Sequence, residues 1–328
     1  MIPVDMPLML LGYMIYIFSE VFLWLFTAGL IAMLFPPSRR YMLARRWKFG
    51  FLMMFLAAGS LPYVESTLRL WQDWRAHHPR LKEQQVVGDL VLPAGTKVHL
   101  QYLEPFDDLA GEPVPYGLQS LKHADFDRTL GTIKGLEVRS LELWDGSATV
   151  KTLAAHELEG WHCEPGQVVY EFPFGARFKH SQWRLDQCML APGTGLGGIT
   201  WPGPVRVIAN GAGWVARSDE TPVTVQGIEL REFIMILDRP YGEGDSWEGY
   251  SNHPFDFGPV YYPANTQVSR YHGQLLFSLP LDTQAQDRRS GLQIEGGNTV
   301  VQSLESQVLG VRPSRRAGDP FPDEIVVP

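Results

Sequence analysis

Apolar residues fall into two long blocks near the start of the chain and into short alternating runs after them. Positions 7–35 read PLMLLGYMIYIFSEVFLWLFTAGLIAMLF, interrupted by one carboxylate, Glu20. About 20 apolar residues cross a bilayer, so this block predicts a tilted membrane-spanning helix. No Lys or Arg precedes it, which argues against a cleaved secretory signal and for an uncleaved anchor. Positions 49–64, FGFLMMFLAAGSLPYV, are shorter; Tyr63, Trp71 and Trp74 extend them through an interface. A re-entrant or interfacial helix is the alternative for this second block.

Between the blocks lie Arg39, Arg40, Arg45, Arg46 and Lys48 in a basic loop. Short basic loops stay in the cytoplasm. Both termini then face outward, and the C-terminal part is periplasmic in a cell with two membranes. The expected organisation is a two-helix anchor (1–64), a helical stalk (65–84) ending at Pro79, a β domain (85–310) and a disordered tail (311–328).

From about Gln85 onward, runs of Val, Leu, Ile, Phe and Tyr are cut by Gly, Pro, Asp and Asn, the chemistry of strands and turns. Two elements recur. One pairs an apolar residue with Pro, a turn residue and an alternating exit: Leu92-Pro93-Ala94-Gly95, Phe172-Pro173-Phe174-Gly175, Trp201-Pro202-Gly203 and Tyr262-Pro263-Ala264-Asn265. The other places an apolar, any, apolar triplet after Gly135, Gly160, Gly198 and Gly227, at steps of 25, 38 and 29 residues. Pro presets the first turn position and Gly or Asn accepts positive φ, so the proline element turns one strand into the next. Self-similarity at such steps predicts a stacked, solenoid-like β-repeat domain, with a β-sandwich as the alternative. The layout resembles the loosely repeated β ectodomains of uncharacterised bacterial membrane-anchored envelope proteins, over about residues 85–275. That resemblance implies a scaffold and assigns no residue a role.

Charge sharpens the division. Residues 1–80 hold eight Lys/Arg against four Asp/Glu, whereas the whole chain carries −8, leaving −12 for the remainder. Such a domain is repelled by phosphate backbones, so nucleic acid is not an expected partner.

Candidate chemistry is sparse. Cys163 and Cys188 are the only cysteines, 25 residues apart, and an oxidising compartment favours a disulfide between them; two buried thiols or a redox pair are the alternatives. His77, His78, His156, His162 and His180 lack the tight spacing of zinc motifs, so no metal and no cofactor is expected. Gly193–Gly198 leads into a strand and not a helix, which rules out a phosphate cradle. Glu20 is expected to make a helix–helix contact or to touch another membrane protein.

Positions 238–259, DRPYGEGDSWEGYSNHPFDFGP, break the repeat and mix Glu243, Asp245, Glu248 and Asp256 with Tyr241, Trp247, Tyr250 and Phe255. Aromatics dominate binding hot spots, so these eight residues form the expected partner-binding loop; a solvated loop is the plainer alternative. The expected function is a non-enzymatic protein-interaction module on the outer side of an inner membrane. Its concrete form is an immunity protein that neutralises a delivered basic toxin. The alternatives are an assembly subunit of an envelope or secretion complex, and a membrane-tethered glycan or wall hydrolase centred on 241–256.

Overall fold

The computed structural model describes residues 6–314 except Ala212, Asp219 and Asp245, and gives the backbone alone for 6–12, Tyr41 and Leu43. The chain divides into two compact units, 1–79 with 99–120, and 80–98 with 121–328.

In the first unit the helices are α1 (Met6–Ala32), α2 (Pro36–Ala44) and α3 (Arg46–His77). Two of them hold stretches long and apolar enough to cross a membrane, Tyr13–Ala32 and Arg46–His77. Only 6 % of the first apolar window and 17 % of the second is buried, so neither is a core helix of a globular domain. Trp24 and Phe51 are each 67 % exposed, and Ile15, Phe18, Leu25 and Phe55 are exposed beside them. An apolar surface of that extent marks contact with lipid or another apolar partner. The helices meet through Tyr16 on Tyr63 (ring centroids 5.0 Å) and Phe22 on Phe55 (5.7 Å). Gly59 permits the approach, because a Cβ there would lie 2.2 Å from the Phe22 ring.

The basic segment is itself helical and not an open loop. Pro36 and Pro37 occupy the first turn of α2, where a missing backbone donor costs nothing. The second apolar block belongs to a helix of 32 residues that runs unbroken past Val64, with Pro62 inside it. In the same unit, the His78 ring that caps α3 stacks between Trp74 (4.6 Å) and His99 (4.3 Å).

The second unit is mainly β, built on an extended, unclosed sheet of 18 strands among the described residues. Twelve of these form its backbone. They are β1 (Leu136–Leu143), β2 (Ser147–Thr152), β3 (Gln167–Glu171), β4 (Arg184–Leu190), β5 (Val205–Asn210), β6 (Gly213–Arg217), β7 (Ile228–Leu237), β8 (Ser246–Ser251), β9 (Gln267–Tyr271), β10 (Gln274–Ser278), β11 (Asn298–Ser303) and β12 (Val308–Pro313). Each pairs antiparallel with the next, so the repeats add by strand pairing along one meander.

Short hairpins at 156–163, 195–200 and 255–262 interrupt the meander, and each carries a large aromatic into the core. Trp161 meets Trp214 of β6 (5.4 Å), Trp201 meets Phe233 of β7 (5.0 Å) and Tyr262 stacks on Phe277 of β10 (4.5 Å). The core therefore lies between the sheet and its row of hairpins.

Both recurring sequence elements find their places here. The glycine elements are two-residue hairpin turns. Lys134–Gly135, Glu159–Gly160, Gly197–Gly198 and Gln226–Gly227 all hold positive φ at both positions, the turn whose twist matches a hairpin. At Gly227 φ is +81° and a methyl group there would meet only open space, so the backbone alone resists a side chain. Gly227→Ala is expected to cost about 1–2 kcal/mol through that left-handed backbone, read as a lower urea midpoint of the detergent-solubilised chain. The proline elements at Pro202 and Pro263 carry the chain from a short hairpin into the main sheet, whereas Pro173 lies in the connection from β3 to β4. Thr96 and Thr266 each donate a hydroxyl hydrogen bond to the proline carbonyl three residues back, Pro93 and Pro263, at 2.7 Å.

Core-facing positions align across the sheet. Cys188, Val207, Ala216, Met235, Trp247, Arg270, Leu275 and Gln302 stand opposite one another in register on β4 through β11. Directly opposed residues share a face. All are buried except Arg270, which is half-buried and carries the row's one charge.

The β unit begins before Gln85. Arg80 donates through both Nη atoms to the two Asp127 carboxylate oxygens at 2.7 Å, and also to the Gly95 carbonyl. The hydrogen bonds from Arg80 chiefly, and the charges of Arg80, Lys97 and Arg128, hold the Asp127 carboxyl at about 2. A carboxylate with a depressed folded-state value contributes stability above its unfolded value, near 3.9, and loses it as pH falls through the folded one. Asp127→Asn is therefore expected to flatten the acid limb of the stability profile between about pH 4 and 2, measured by thermal unfolding across that range. At the other end, β12 runs to Pro313, so the expected tail begins inside a strand. Residues 315–328 of that tail lie outside the described residues.

Candidate functional site

The expected partner-binding loop contains two strands. Ser246–Ser251 is strand β8, and Phe255–Phe257 is the first arm of the 255–262 hairpin, so the segment carries the repeat forward. Alternation then scatters its eight candidates. Trp247 is 3 % exposed in the core row, on the face turned away from Glu248 and Tyr250. Glu248 and Tyr250 point to the opposite face. There Glu248 accepts from Gln267 Nε2 at 3.3 Å, and the Arg231 guanidinium lies 5.6 Å from the Tyr250 ring.

Tyr241 lies away from both, in the turn after β7. Its hydroxyl accepts the His162 backbone N–H at 3.1 Å and its ring sits 5.1 Å from Trp161. Glu243 is exposed two residues on. Phe255 stacks on Tyr262 at 5.2 Å inside its own hairpin, and Asp256 forms an exposed ion pair with Arg288 at 2.9 Å. Asp245 lies outside the described residues. The sheet thus brings Glu248 and Tyr250 together on one face, and Phe255 and Asp256 into one hairpin, but it does not gather the eight into one surface.

Cys163 and Cys188 are bonded, with Cα atoms 5.8 Å apart. The bond ties the 156–163 hairpin to β4 beneath it, and both cysteines are buried. His156 pairs in register with Cys163 and His162 with Glu157. Among the described residues, no group of three or more His, Cys, Asp or Glu is placed to hold a metal ion. In α1, Glu20 is half-buried and its Oε1 accepts from Trp24 Nε1 at 3.5 Å, one helical turn along.

The cavity that touches a candidate residue lies over the core row. It encloses about 390 Å³ and is lined by the Gly197–Gly198 turn, Ile199, Thr200, Thr224, Gln226, Trp247 and Arg270. That volume is in the range of small-molecule sites. Trp247 forms part of its floor, at the end of an aromatic run in which Phe233 lies 5.0 Å from Trp201 and 5.7 Å from Trp247. Arg270 is the only charged residue among those that line it. Its Nε is buried without a hydrogen-bond partner among the described residues. Gln302, the other polar member of the row, is fully engaged. Its Oε1 accepts from Tyr262 at 2.8 Å, and its Nε2 donates to the Phe257 and Ser306 carbonyls at 3.4 and 3.3 Å.

Sequence reasoning passed over Arg270. The signal was its phase: Thr266, Val268 and Arg270 alternate, so the charge falls where the buried Thr266 and Val268 predict another inward residue.

Comparison with known proteins finds no matching family model, no matching curated protein and no matching solved structure.

Proposed function

We propose that this chain is a non-catalytic protein-interaction module, held in an inner membrane by α1 and α3 with its β unit on the outer side. The observation that carries the reading is the pair of long helices whose apolar side chains remain exposed, joined in one chain to a sheet without a metal-binding cluster among its described residues. The basic residues of α2 set the orientation, because they favour the cytoplasmic side. The layout resembles that of bacterial membrane-anchored envelope proteins with repeated β ectodomains. In the most concrete form the module is an immunity protein. The −12 charge of residues 81–328 speeds encounter with a basic toxin, since complementary potentials raise association rates.

Deleting the protein from its own cell and exporting the products of neighbouring genes tests this form. Growth arrest by at least one product, relieved by restoring the protein, is the expected result. Tolerance of every product removes the immunity role.

The half-buried Glu20, bonded to Trp24 on its own helix, favours a second reading as an assembly subunit of an envelope complex. A polar group held within an apolar helix commonly bonds across to another helix. A photo-crosslinker at position 20 that captures a membrane protein, while no outer-side partner is recovered, selects the subunit.

A further inference from the structure

The core row is apolar from β4 to β10 except at one place, and that place opens into a cavity. We propose that Arg270 anchors a carboxylate-binding site there, taking a small carboxylic acid or a carboxylate side chain of a polypeptide. This inference stands whether or not the chain is an immunity protein.

Four observations carry it. First, Arg270 stands directly between Trp247 and Leu275 on the core face, and neither side chain carries a negative charge or a hydrogen-bond acceptor. Second, its Nε is buried without a partner among the described residues, whereas the other polar member of the row has three. A polar atom buried without a partner is costly, so the Nε of this half-buried guanidinium marks a donor that an acceptor from outside the chain can satisfy. Third, the adjacent space of about 390 Å³ is lined by Thr200, Thr224 and Gln226, residue types whose side chains carry donors for an oxyanion. Fourth, the rim is made of two-residue hairpin turns with fixed positive φ at Gly197, Gly198, Gln226 and Gly227, which makes the opening preformed.

The chemistry of the group selects its ligand. A guanidinium presents a planar fork that matches carboxylate and phosphate alike. One positive charge in the cavity offsets one negative charge, which favours a carboxylate over a phosphate dianion. The indole of Trp247 and the side chain of Ile199 offer an apolar wall to the body that carries it. The domain's −12 charge does not prevent this, because exposed charges are screened over about 8 Å at physiological salt while the guanidinium acts at contact.

The test is calorimetric titration of the full chain in nanodiscs with sodium benzoate, with the capped peptide acetyl-Gly-Glu-Gly-amide, and with inorganic phosphate. Binding of benzoate or the peptide more tightly than phosphate is expected, with Arg270→Met weakening it roughly tenfold or more, since charge-assisted bidentate bonds dominate such sites. The tighter of the two carboxylates assigns the source, free acid or polypeptide. Without ligand, Arg270→Met is also expected to melt at a higher temperature than the parent, because it removes a half-buried cation from an apolar row. Should Arg270→Met not fold, Arg270→Lys decides: it keeps the charge but not the fork, and is expected to lose part of the affinity.

The proposal is overturned if neither carboxylate binds, if binding survives Arg270→Met, or if phosphate binds as well as the carboxylates.

Discussion

Trp201→Ala destabilises the β unit by about 3–5 kcal/mol, the range for removing a fully buried indole. Trp201 is completely enclosed, packs its ring 5.0 Å from Phe233, and is the aromatic that the 195–200 hairpin delivers to the core. Its loss leaves a cavity beneath a hairpin whose strand pairing is short, Gly195 with Thr200 and Leu196 with Ile199, and is extended by the backbone hydrogen bonds of Trp201 with Gly193 and Thr194. The midpoint of urea unfolding, followed by circular dichroism in detergent, reads the effect. Trp201→Phe is expected to cost much less. It keeps most of the contact area and removes an indole N–H that is buried without a partner. If the two variants cost the same, the hairpins are not held by their aromatics and the packing account is wrong at its centre.

Removing the disulfide has an effect of similar size through the unfolded chain. Closing a loop of 25 residues restricts the denatured ensemble, which corresponds to about 3.5 kcal/mol. Cys163→Ala with Cys188→Ala is expected to lower the unfolding midpoint accordingly, with the largest local loss of protection in the 156–163 hairpin. Hydrogen exchange resolves that locality. An unfolding midpoint unchanged in the double variant would mean that the hairpin is secured by Trp161 and Tyr241 alone. The same pair reports on compartment, because such bonds persist on the oxidising side of a membrane and are rare in the cytosol.

Much of this structure could be read from the chain. The two apolar blocks stand out because a helix whose apolar side chains stay exposed all round, Trp24, Phe51 and Phe55 among them, is apolar at nearly every position. The recurrence of Gly135, Gly160 and Gly227 was legible, and its reason is the positive φ that each hairpin turn requires there. Where composition and periodicity disagreed, composition misled. The acidic and aromatic density of 238–259 suggested a loop, yet Trp247, Gly249 and Ser251 already alternated with Ser246, Glu248 and Tyr250 as a half-buried strand does. In the basic segment, neighbouring cationic residues concealed the helix α2 that Pro36 and Pro37 begin.

The cavity could not have been read at all. It depends on which strands lie side by side: Arg270 becomes a cation in an apolar row only when β8 and β10 place Trp247 and Leu275 against it. Register across non-adjacent segments is a property of the sheet, and one sequence does not display it. The disulfide is intermediate. Its two residues were the only ones that could pair, but the reason they meet is that a short hairpin folds back over β4.

The central claim is that α1 and α3 cross a membrane and hold the β unit on its outer side. A tandem reporter fused after Pro328, active as a phosphatase only outside the cytoplasm and fluorescent only within it, tests that claim most directly. Phosphatase activity without fluorescence is the expected result. Fluorescence without phosphatase activity places the β unit in the cytoplasm and contradicts it.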